Sequence, residues 1–234
     1  MGGDGTLNEV VNGLAPLREE YPVTVGALMT GRGRDACRNL GLARDPRRAA
    51  RRLAEGRVVS LDVGLARWPG GHRYFLGWAG AGFDAVVAER AGARGGRLTY
   101  LRAALTSLRD YRPVEMAVSL DGADAWAGPA ASVVVCNGAS FGGGMRSAPS
   151  ARPDDGLLDV VWLGVVGRLE LSRWLPTVYW GGHLANPRIQ TRRAAAARVL
   201  VAACAPLPVQ LDGEIGGHTR LEVEICPGAL RLLV

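Results

Sequence analysis

The amino-acid sequence predicts a small α/β region followed by a larger β-rich region with helical insertions. Up to residue 57, predicted strands, loops and helices alternate, which is typical of α/β proteins. From residue 58 onwards, short segments of alternating apolar and polar residues predominate, as they do in sheets with one solvent-facing side. We therefore predict two domains, residues 1–57 and residues 58–234, with the last strand returning to pack on the first domain.

The α/β region begins with a glycine turn that leads into a helix. Leu7, Val10, Val11 and Leu14 fall at positions i, i+3, i+4 and i+7, which predicts one buried helical face. Thr6 stands three residues before a glutamate, the spacing of a capping box, so Thr6 is the predicted N-cap.

The remaining elements of this region follow in α/β order. We predict a buried strand over residues 23–29, a short helix over 36–40, and a helix that starts at Asp45 and Pro46 and stops before Gly56. A glycine turn that feeds a helix normally follows a strand. Because only one residue precedes the turn, we expect the first strands of the sheet to be missing, either because the protein is truncated or because the gene model starts late.

The β-rich region contains nine predicted strands and three helical segments. The strands cover residues 58–65, 73–78, 114–120, 131–136, 157–163, 198–202, 209–211, 221–225 and 230–234, and the helices cover 83–91, 98–110 and 169–180. Asp121-Gly122 between alternating segments is a hairpin signal.

Composition narrows the classes of function. The formal charge of +6 comes from arginine alone, because the 234 residues include no lysine. Base composition of the gene explains the arginine excess as well as an anionic partner does. Without lysine, a P-loop lysine or a Schiff base is excluded.

Cysteine and histidine are too scattered for a zinc site or a disulfide framework, so a reducing cytoplasm is expected. The sequence opens without the apolar segment of a signal peptide, and its longest apolar stretch is too short to cross a bilayer. Any membrane contact is therefore expected to be peripheral.

Three motifs carry residues suited to chemistry. The turn Gly2, Gly3, Asp4, Gly5 and Thr6 exposes backbone N–H groups at a helix N-terminus, which suits a polyphosphate, and its carboxylate suits a magnesium ion. A tight turn without a ligand explains the same residues.

The second motif is Asp212-Gly213-Glu214. If these residues lie in a strand, both carboxylates point to the same side, and one can act as a general base toward a hydroxyl. A surface hairpin turn is the alternative, since Asp-Gly is a common turn dipeptide.

The third motif is a glycine-rich and acidic segment over residues 137–160. Its carboxylates and backbone oxygens could bind a hard cation, and a solvated loop is the equally plain alternative.

Five segments occur together in a fixed order: residues 2–14, 31–38, 82–85, 137–160 and 212–214. In this order they resemble the catalytic family of the diacylglycerol kinases, which includes bacterial lipid kinases and is related to the sphingosine kinases. The resemblance implies a truncated Rossmann-like, phosphofructokinase-like nucleotide-binding domain followed by a β-sandwich-like domain, with the active site between them.

The resemblance also implies an activity, the transfer of the γ-phosphoryl group of ATP to the hydroxyl of diacylglycerol or a related lipid. The implied nucleotide site is formed by Gly2, Gly3, Asp4, Gly5, Thr6, Gly31 and Arg32. Asp4 would help to hold catalytic Mg²⁺, and Glu214 would accept the proton of the lipid hydroxyl. Asp212 would act beside Glu214 as the orienting residue or as the alternative base. Asp155 and the backbone oxygens of Arg152 and Leu157 would hold a second, structural Mg²⁺.

Three departures from the family pattern are visible. Arg32 and Arg34 stand where a threonine and an asparagine are usual, and Gly77 replaces another asparagine. A separate feature is the arginine-rich helix of residues 44–57, which either docks on anionic lipid at the inner face of the membrane or forms a solvated surface. A homodimer is also possible on this sequence.

Other functions compete with a lipid kinase. NAD kinases and 6-phosphofructokinases share the glycine turn, but Asp212-Gly213-Glu214 favours the lipid kinases. A non-catalytic relic that lost its nucleotide site is a further alternative. Nucleic-acid binding rests on charge alone, because no aromatic residues lie among the arginines of residues 44–57.

Overall fold

A computed structural model describes residues 1–20, 22–31, 33–92, 97–107, 109, 112–165, 167–187, 189–194 and 198–234. Its helices are α1 (Asp4–Leu14), α2 (Asp35–Asn39), α3 (Pro46–Glu55), α4 (Phe83–Ala91), α5 (Arg97–Ser107) and α6 (Arg168–Trp174). Short 3₁₀ turns cover Ala15–Leu17, Leu175–Trp180 and Gly182–Ala185.

Twelve strands lie within these residues. They are β1 (Thr24–Gly26), β2 (Val58–Trp68), β3 (Gly71–Phe75), β4 (Trp78–Gly82), β5 (Val114–Leu120), β6 (Ala123–Cys136), β7 (Leu158–Gly164), β8 (Ile189–Ala194), β9 (Arg198–Ala203), β10 (Pro208–Leu211), β11 (Glu214–His218) and β12 (Leu221–Leu233).

The strands form one large mixed sheet. Its main path is β11-β10-β4-β6-β5-β9-β12-β2-β3, while β7 pairs with β6 and β8, and β1 pairs with β12. Only the β1–β12 pair of named strands is parallel. The fold class is therefore mixed α/β with a large sheet, and the division at residue 57 stays a prediction.

The last strand joins the first part of the chain to the rest of the sheet. Strand β12 pairs antiparallel with β2 and β9, and its end pairs with β1 through Thr24 opposite Arg231. An isolated parallel bridge between Gly2 and Met29 places the glycine turn beside the segment that follows β1.

Helix α1 differs from its prediction in two respects. Its N-cap is Gly3 and it begins at Asp4, so the prediction of Thr6 as N-cap is wrong. Val10 is exposed, whereas the polar Asn8 is only 2% exposed. The buried face is thus rotated from the apolar stripe, because Asn8 makes contacts that an apolar residue could not make.

Several predicted strand boundaries are also wrong. The strand predicted over residues 73–78 is split into β3 and β4 at Leu76 and Gly77. Conversely, the strands predicted over residues 221–225 and 230–234 form one strand, β12 (Leu221–Leu233), with an irregularity between Cys226 and Leu230, where Pro227 cannot donate to the ladder. The helix predicted over residues 169–180 ends at Trp174 and continues as a 3₁₀ turn.

Several local predictions are confirmed. Helix α3 begins after Asp45, whose Oδ1 accepts a hydrogen bond from the Arg48 N–H, and it ends at Gly56 with a φ of 72°. Asp121 and Gly122 join β5 to β6 with positive φ values of 53° and 83°, as the hairpin signal predicts.

The two largest of four apolar clusters in the described residues hold the sheet and the first helices together. One lies among the β-rich strands and includes Phe75, Val133 and Leu211, and the other packs α1 and α2 on β2 and β12 around Val63 and Leu232. Both cores have members with no exposed surface. The edge between them is where β3, β4 and the β10–β11 turn meet, and the candidate site lies there.

Candidate active site

Two glycine segments pack directly against each other at the start of α1. A Cβ atom added at Gly31 would lie 2.7 Å from the Gly3 Cα, so a larger residue cannot occupy this position without a shift. Gly3 has no side chain to cap α1, which leaves N–H groups of the first helical turn for another acceptor. The arrangement suits an anion at the helix N-terminus.

Asp4 connects this turn to helix α2. Its Oδ1 accepts a hydrogen bond of 2.9 Å from the Ala36 N–H, and its Oδ2 lies over Gly33. Asp35 lies nearby, and its Oδ2 accepts a 2.7 Å hydrogen bond from the Gly143 N–H. Burial raises the pKa of Asp35, and repulsion from Asp4 adds to that rise. The carboxylates of Asp4 and Asp35, the first residues of α1 and α2, therefore lie near each other.

Asp212 and Gly213 form the two-residue turn between β10 and β11. Their φ values of 48° and 92° are those of a tight hairpin turn. The prediction that Asp212 and Glu214 share one side of a strand is therefore wrong. Asp212 lies in the turn, and Glu214 is the first residue of β11.

The Asp212 side chain is half-buried, and its carboxylate accepts four hydrogen bonds. Its Oδ1 accepts from the N–H groups of Gly77 and Trp78, at 2.9 and 3.0 Å. Its Oδ2 accepts from the Leu76 N–H at 2.7 Å and from Asn8 Nδ2 at 2.9 Å. Burial raises the pKa of Asp212, and these donors oppose the rise. The N–H groups of Leu76 and Gly77 donate to Asp212 and not to a neighbouring strand, so the strand predicted over residues 73–78 is interrupted there.

Glu214 is exposed and faces the same cleft as Asp4. The cleft has a volume of about 770 Å³, within the range of small-molecule sites. Its lining brings together the glycine turn, helix α2 and the β10–β11 turn, and includes Gly3, Asp4, Gly5, Gly31, Asp35, Gly77, Asp212 and Glu214. Asp4 thus lines the same space as Asp212 and Glu214, which are distant from it in sequence.

The replacement of the usual asparagine by Gly77 has a structural counterpart. A Cβ added at Gly77 would lie 2.9 Å from Asp212 Oδ1 and 3.6 Å from Asn39 Nδ2. Asn39 Nδ2 donates to the Ser140 carbonyl at 2.7 Å, and its Oδ1 accepts from the Ser140 N–H at 3.0 Å. The amide of Asn39 therefore occupies the space above Gly77 and ties α2 to the loop after β6.

A second, apolar pocket of about 130 Å³ lies beside the cleft. Phe141 lines both spaces and stacks on Trp78 with ring centroids 3.8 Å apart. The other walls are formed by α4, α5, β7 and the 3₁₀ turn, through residues such as Val87, Leu101, Val161 and Val178. An apolar ligand group can therefore lie next to the carboxylates of the cleft.

The predicted structural metal ligands lie in the loop before β7. Asp155 Oδ1 accepts a 3.1 Å hydrogen bond from the Leu157 N–H, and the Arg152 side chain pairs with Asp154. Asp62 anchors this loop: its Oδ2 accepts from the Gly156 N–H at 2.6 Å. Over the described ranges, no cluster of three or more His, Cys, Asp or Glu side chains forms a ready metal site. The predicted site also uses the backbone oxygens of Arg152 and Leu157, which a search for side-chain clusters does not test. The second Mg²⁺ site at Asp155 therefore stays a prediction.

Arg32 lies outside the described residues. Gly2 and Thr6 do not line the cleft, although both belong to its glycine turn: the Gly2 N–H donates to the Leu28 carbonyl, and a Cβ at Gly2 would collide with Thr6. Their predicted contacts with a nucleotide remain predictions.

Sequence reasoning assigned no role to Asn8, Asp35 or Asp62. Signals for each were available. Asn8 follows Asp4 by four residues and so shares its helical face, and Asp35 ends a glycine-containing loop. Asp62 is a lone acid inside an apolar strand, where a buried charge requires partners.

Comparison with known proteins agrees with this geometry. Residues 1–66 match the diacylglycerol kinase catalytic domain, and residues 77–234 match the YegS C-terminal NAD kinase beta sandwich-like domain. A diacylglycerol kinase of Mycobacterium tuberculosis (strain ATCC 25618 / H37Rv) is 30% identical over 237 residues, which cover 99% of this chain and 74% of that protein. A diacylglycerol kinase of Bacillus subtilis (strain 168) is 32% identical over 223 residues, which cover 92% and 70%.

A solved structure extends the likeness to the whole fold. The crystal structure of a candidate diacylglycerol kinase from Bacillus anthracis str. Sterne superposes with a TM-score of 0.79 at 26% identity, covering 99% of this chain and 74% of that one. The resemblance drawn from the five sequence segments is thereby confirmed. The chain belongs to the diacylglycerol kinase family of lipid kinases and is a kinase.

Proposed function

We propose that the protein transfers the γ-phosphoryl group of ATP to the hydroxyl of diacylglycerol or a related lipid. One observation carries the proposal: the glycine turn, Asp4 and Glu214 line a single cleft of about 770 Å³. A triphosphate at the turn and a hydroxyl at Glu214 can therefore meet within it.

The glycine side of the cleft is the proposed nucleotide site. Phosphate oxygens would accept hydrogen bonds from the N–H groups at the start of α1, where the helix dipole favours negative charge. The contact between Gly3 and Gly31 leaves no side chain in the way of such an approach. Gly2 and Thr6 would hold the shape of the turn, and Arg32 would supply a positive charge.

Asp4 and Asp35 are the proposed partners of the catalytic Mg²⁺. Magnesium is commonly held by one or two carboxylates together with substrate phosphates, and these two carboxylates face the same cleft. These residues would hold Mg²⁺, which would supply positive charge against the phosphate oxygens. Burial is the main cause of the raised pKa of Asp35, repulsion from Asp4 adds to the rise, and the ion pair with Arg38 at 2.9 Å opposes it. A cation bound between Asp4 and Asp35 would relieve their mutual repulsion.

Glu214 is the proposed general base. It is exposed to the cleft, so an acceptor hydroxyl can reach its carboxylate and lose its proton there during transfer. Asp212 is unsuited to this role because four donors already engage its two oxygens. We therefore assign to Asp212 the orienting role, since it fixes the turn from which Glu214 projects.

The apolar pocket supports a lipid acceptor. A hydrocarbon chain placed between α4 and β7 would be removed from water, while the hydroxyl end of the lipid passes Phe141 toward Glu214. A polar soluble acceptor would gain nothing from this pocket. The observation therefore favours a lipid over the NAD kinase-like alternative.

Contact with a membrane would be peripheral, at the inner face of the membrane. The described part of the chain has no helix that combines the length and the hydropathy needed to cross a bilayer. Helix α3 exposes Arg47, Arg48 and Arg51, which could approach anionic headgroups. We also propose a second Mg²⁺ site at Asp155, a Rossmann-like first domain and a homodimer.

The experiment is a transfer assay with [γ-³²P]ATP and Mg²⁺. The protein would be offered diacylglycerol in mixed micelles and, separately, NAD. We expect label in the lipid that depends on ATP and Mg²⁺. Label in NAD with none in any lipid would overturn the proposal.

A further inference from the structure

A buried glutamine joins the apolar pocket to the turn that carries Glu214. Gln210, in β10, has no exposed surface. Its Nε2 donates to Asp84 Oδ2 at 3.2 Å, and its Oε1 accepts from the Gly213 N–H at 3.0 Å. Gly213 directly precedes Glu214, so the amide spans from the turn to Asp84.

Asp84, at the other end, is part of the wall of the apolar pocket. Its Oδ1 accepts a hydrogen bond from the Ser132 hydroxyl, and the Ala81 carbonyl, 3.3 Å from the same Oγ, is the alternative acceptor for that hydrogen. The chain makes room for this carboxylate with a glycine, because a Cβ at Gly80 would lie 2.0 Å from Asp84 Oδ2. The series Asp84, Gln210 and Gly213 is therefore continuous from pocket to turn.

Filling this space with polar side chains is less favourable for stability than filling it with apolar ones. Burial raises the pKa of Asp84 to about 6, so the ionised carboxylate costs stability at neutral pH. Apolar residues of the same volume commonly stabilise a core as well as buried polar groups do. On β10, Val209 and Leu211 flank Gln210 and are wholly buried apolar residues. The polar series is thus better explained by what it connects than by packing.

We infer that Gln210 is a positioning residue through which the apolar pocket and Glu214 are coupled. A lipid chain that packs on Asp84 would hold the carboxylate against Gln210, and Gln210 would in turn hold the Gly213 N–H and the turn. A filled pocket thereby stabilises the position of Glu214 that suits proton transfer. The inference rests on the proposed function, because it requires a lipid acceptor and Glu214 as base.

The test compares two diacylglycerols, one with long and one with very short acyl chains, as acceptors for the wild type and for Gln210→Met. Methionine keeps the length of the side chain but neither hydrogen bond. In the wild type, kcat is expected to be higher for the long-chain lipid. In Gln210→Met, kcat for that lipid should fall by about fivefold to tenfold, to the value of the short-chain lipid. KM should keep its dependence on chain length, because the pocket walls are unchanged.

Val209→Ala is the matched control. It removes buried volume from the neighbouring residue of β10 without touching the series, so the ratio of the two kcat values should stay at the wild-type value. Ser132→Ala provides a second variant should Gln210→Met fail to fold. It removes one hydrogen bond from Asp84 and should lower the ratio in the same direction to a smaller extent.

The outcomes separate the two proposals. A wild-type protein that labels neither lipid overturns the proposed function, and this inference with it. A wild type that labels both lipids with equal kcat overturns the inference alone. So does a folded Gln210→Met protein that keeps the wild-type ratio, or a Val209→Ala protein that loses the ratio as completely as Gln210→Met.

Discussion

Asn8 Nδ2 donates a 2.9 Å hydrogen bond to Asp212 Oδ2, across 204 positions of the sequence. Helix α1, which starts at the phosphate turn, is thereby joined to the turn that precedes Glu214. Asn8 is itself held in place, because its Oδ1 accepts from Asn12 Nδ2 at 3.1 Å and from Arg73 Nη2 at 2.9 Å. The proposed nucleotide and base ends of the cleft are therefore one connected structure.

Asp212→Asn should lower both stability and activity. Asparagine tolerates the positive φ of 48° at this position, so the backbone turn is not the difficulty. Its NH₂ group, however, would face N–H donors of Leu76, Gly77, Trp78 or Asn8. We expect a loss of about 1–3 kcal/mol in the free energy of unfolding, measured by denaturant titration. A variant of wild-type stability with full activity would contradict the orienting role.

Gly31→Ala should abolish nucleotide binding. The added methyl would lie 2.7 Å from the Gly3 Cα and force the two glycine segments apart. Gly13→Ala is the matched control: nothing lies within 4 Å of its added Cβ, and alanine is favoured over glycine in a helix by about 1 kcal/mol. Calorimetric titration with ATP and Mg²⁺ should show binding by Gly13→Ala and none by Gly31→Ala. Equal binding by the two variants would refute the proposed phosphate site.

Asp84→Asn should change how stability depends on pH. Because burial raises the pKa of Asp84 to about 6, the folded protein keeps a proton between pH 4 and 6 that the unfolded chain has released. The wild type therefore loses stability as the pH rises through this window, and asparagine cannot titrate.

Relative to Asp84→Asn, the wild type should lose about 2 kcal/mol in the free energy of unfolding between pH 4 and pH 7, measured by denaturant titration at each pH. His183 also lines the apolar pocket, and burial lowers its pKa, but it is present in both proteins and cancels in the difference. A difference that is constant with pH would show that the pKa of Asp84 is not raised in the folded protein.

The sequence was sufficient for what depends on local pattern. Helix α3, with its Asp45 cap and Gly56 end, and the hairpin at Asp121-Gly122 follow from short-range preferences. The five motif segments also led to the family, and with it to the fold. These features need no knowledge of distant contacts.

What the sequence could not supply depends on contacts between distant residues. Asn8 is buried because Asp212 lies opposite it, and periodicity alone assigned the buried face to Val10 instead. Strand β3 ends where the Leu76 N–H donates to Asp212 Oδ2, and no local pattern predicts this contact. The turn that separates Asp212 from Glu214 likewise emerges only once β10 and β11 are paired.

Phosphoryl transfer by Glu214→Gln, measured beside its affinity for ATP, tests the central claim most directly. Glu214 is exposed, so the variant should fold and bind Mg²⁺-ATP like the wild type, and Glu19→Gln, another exposed position, serves as control. We predict that transfer from [γ-³²P]ATP to diacylglycerol falls by about 10²–10⁴-fold in Glu214→Gln and is unchanged in Glu19→Gln. Transfer at the wild-type rate by Glu214→Gln would contradict the assignment of Glu214 as the base.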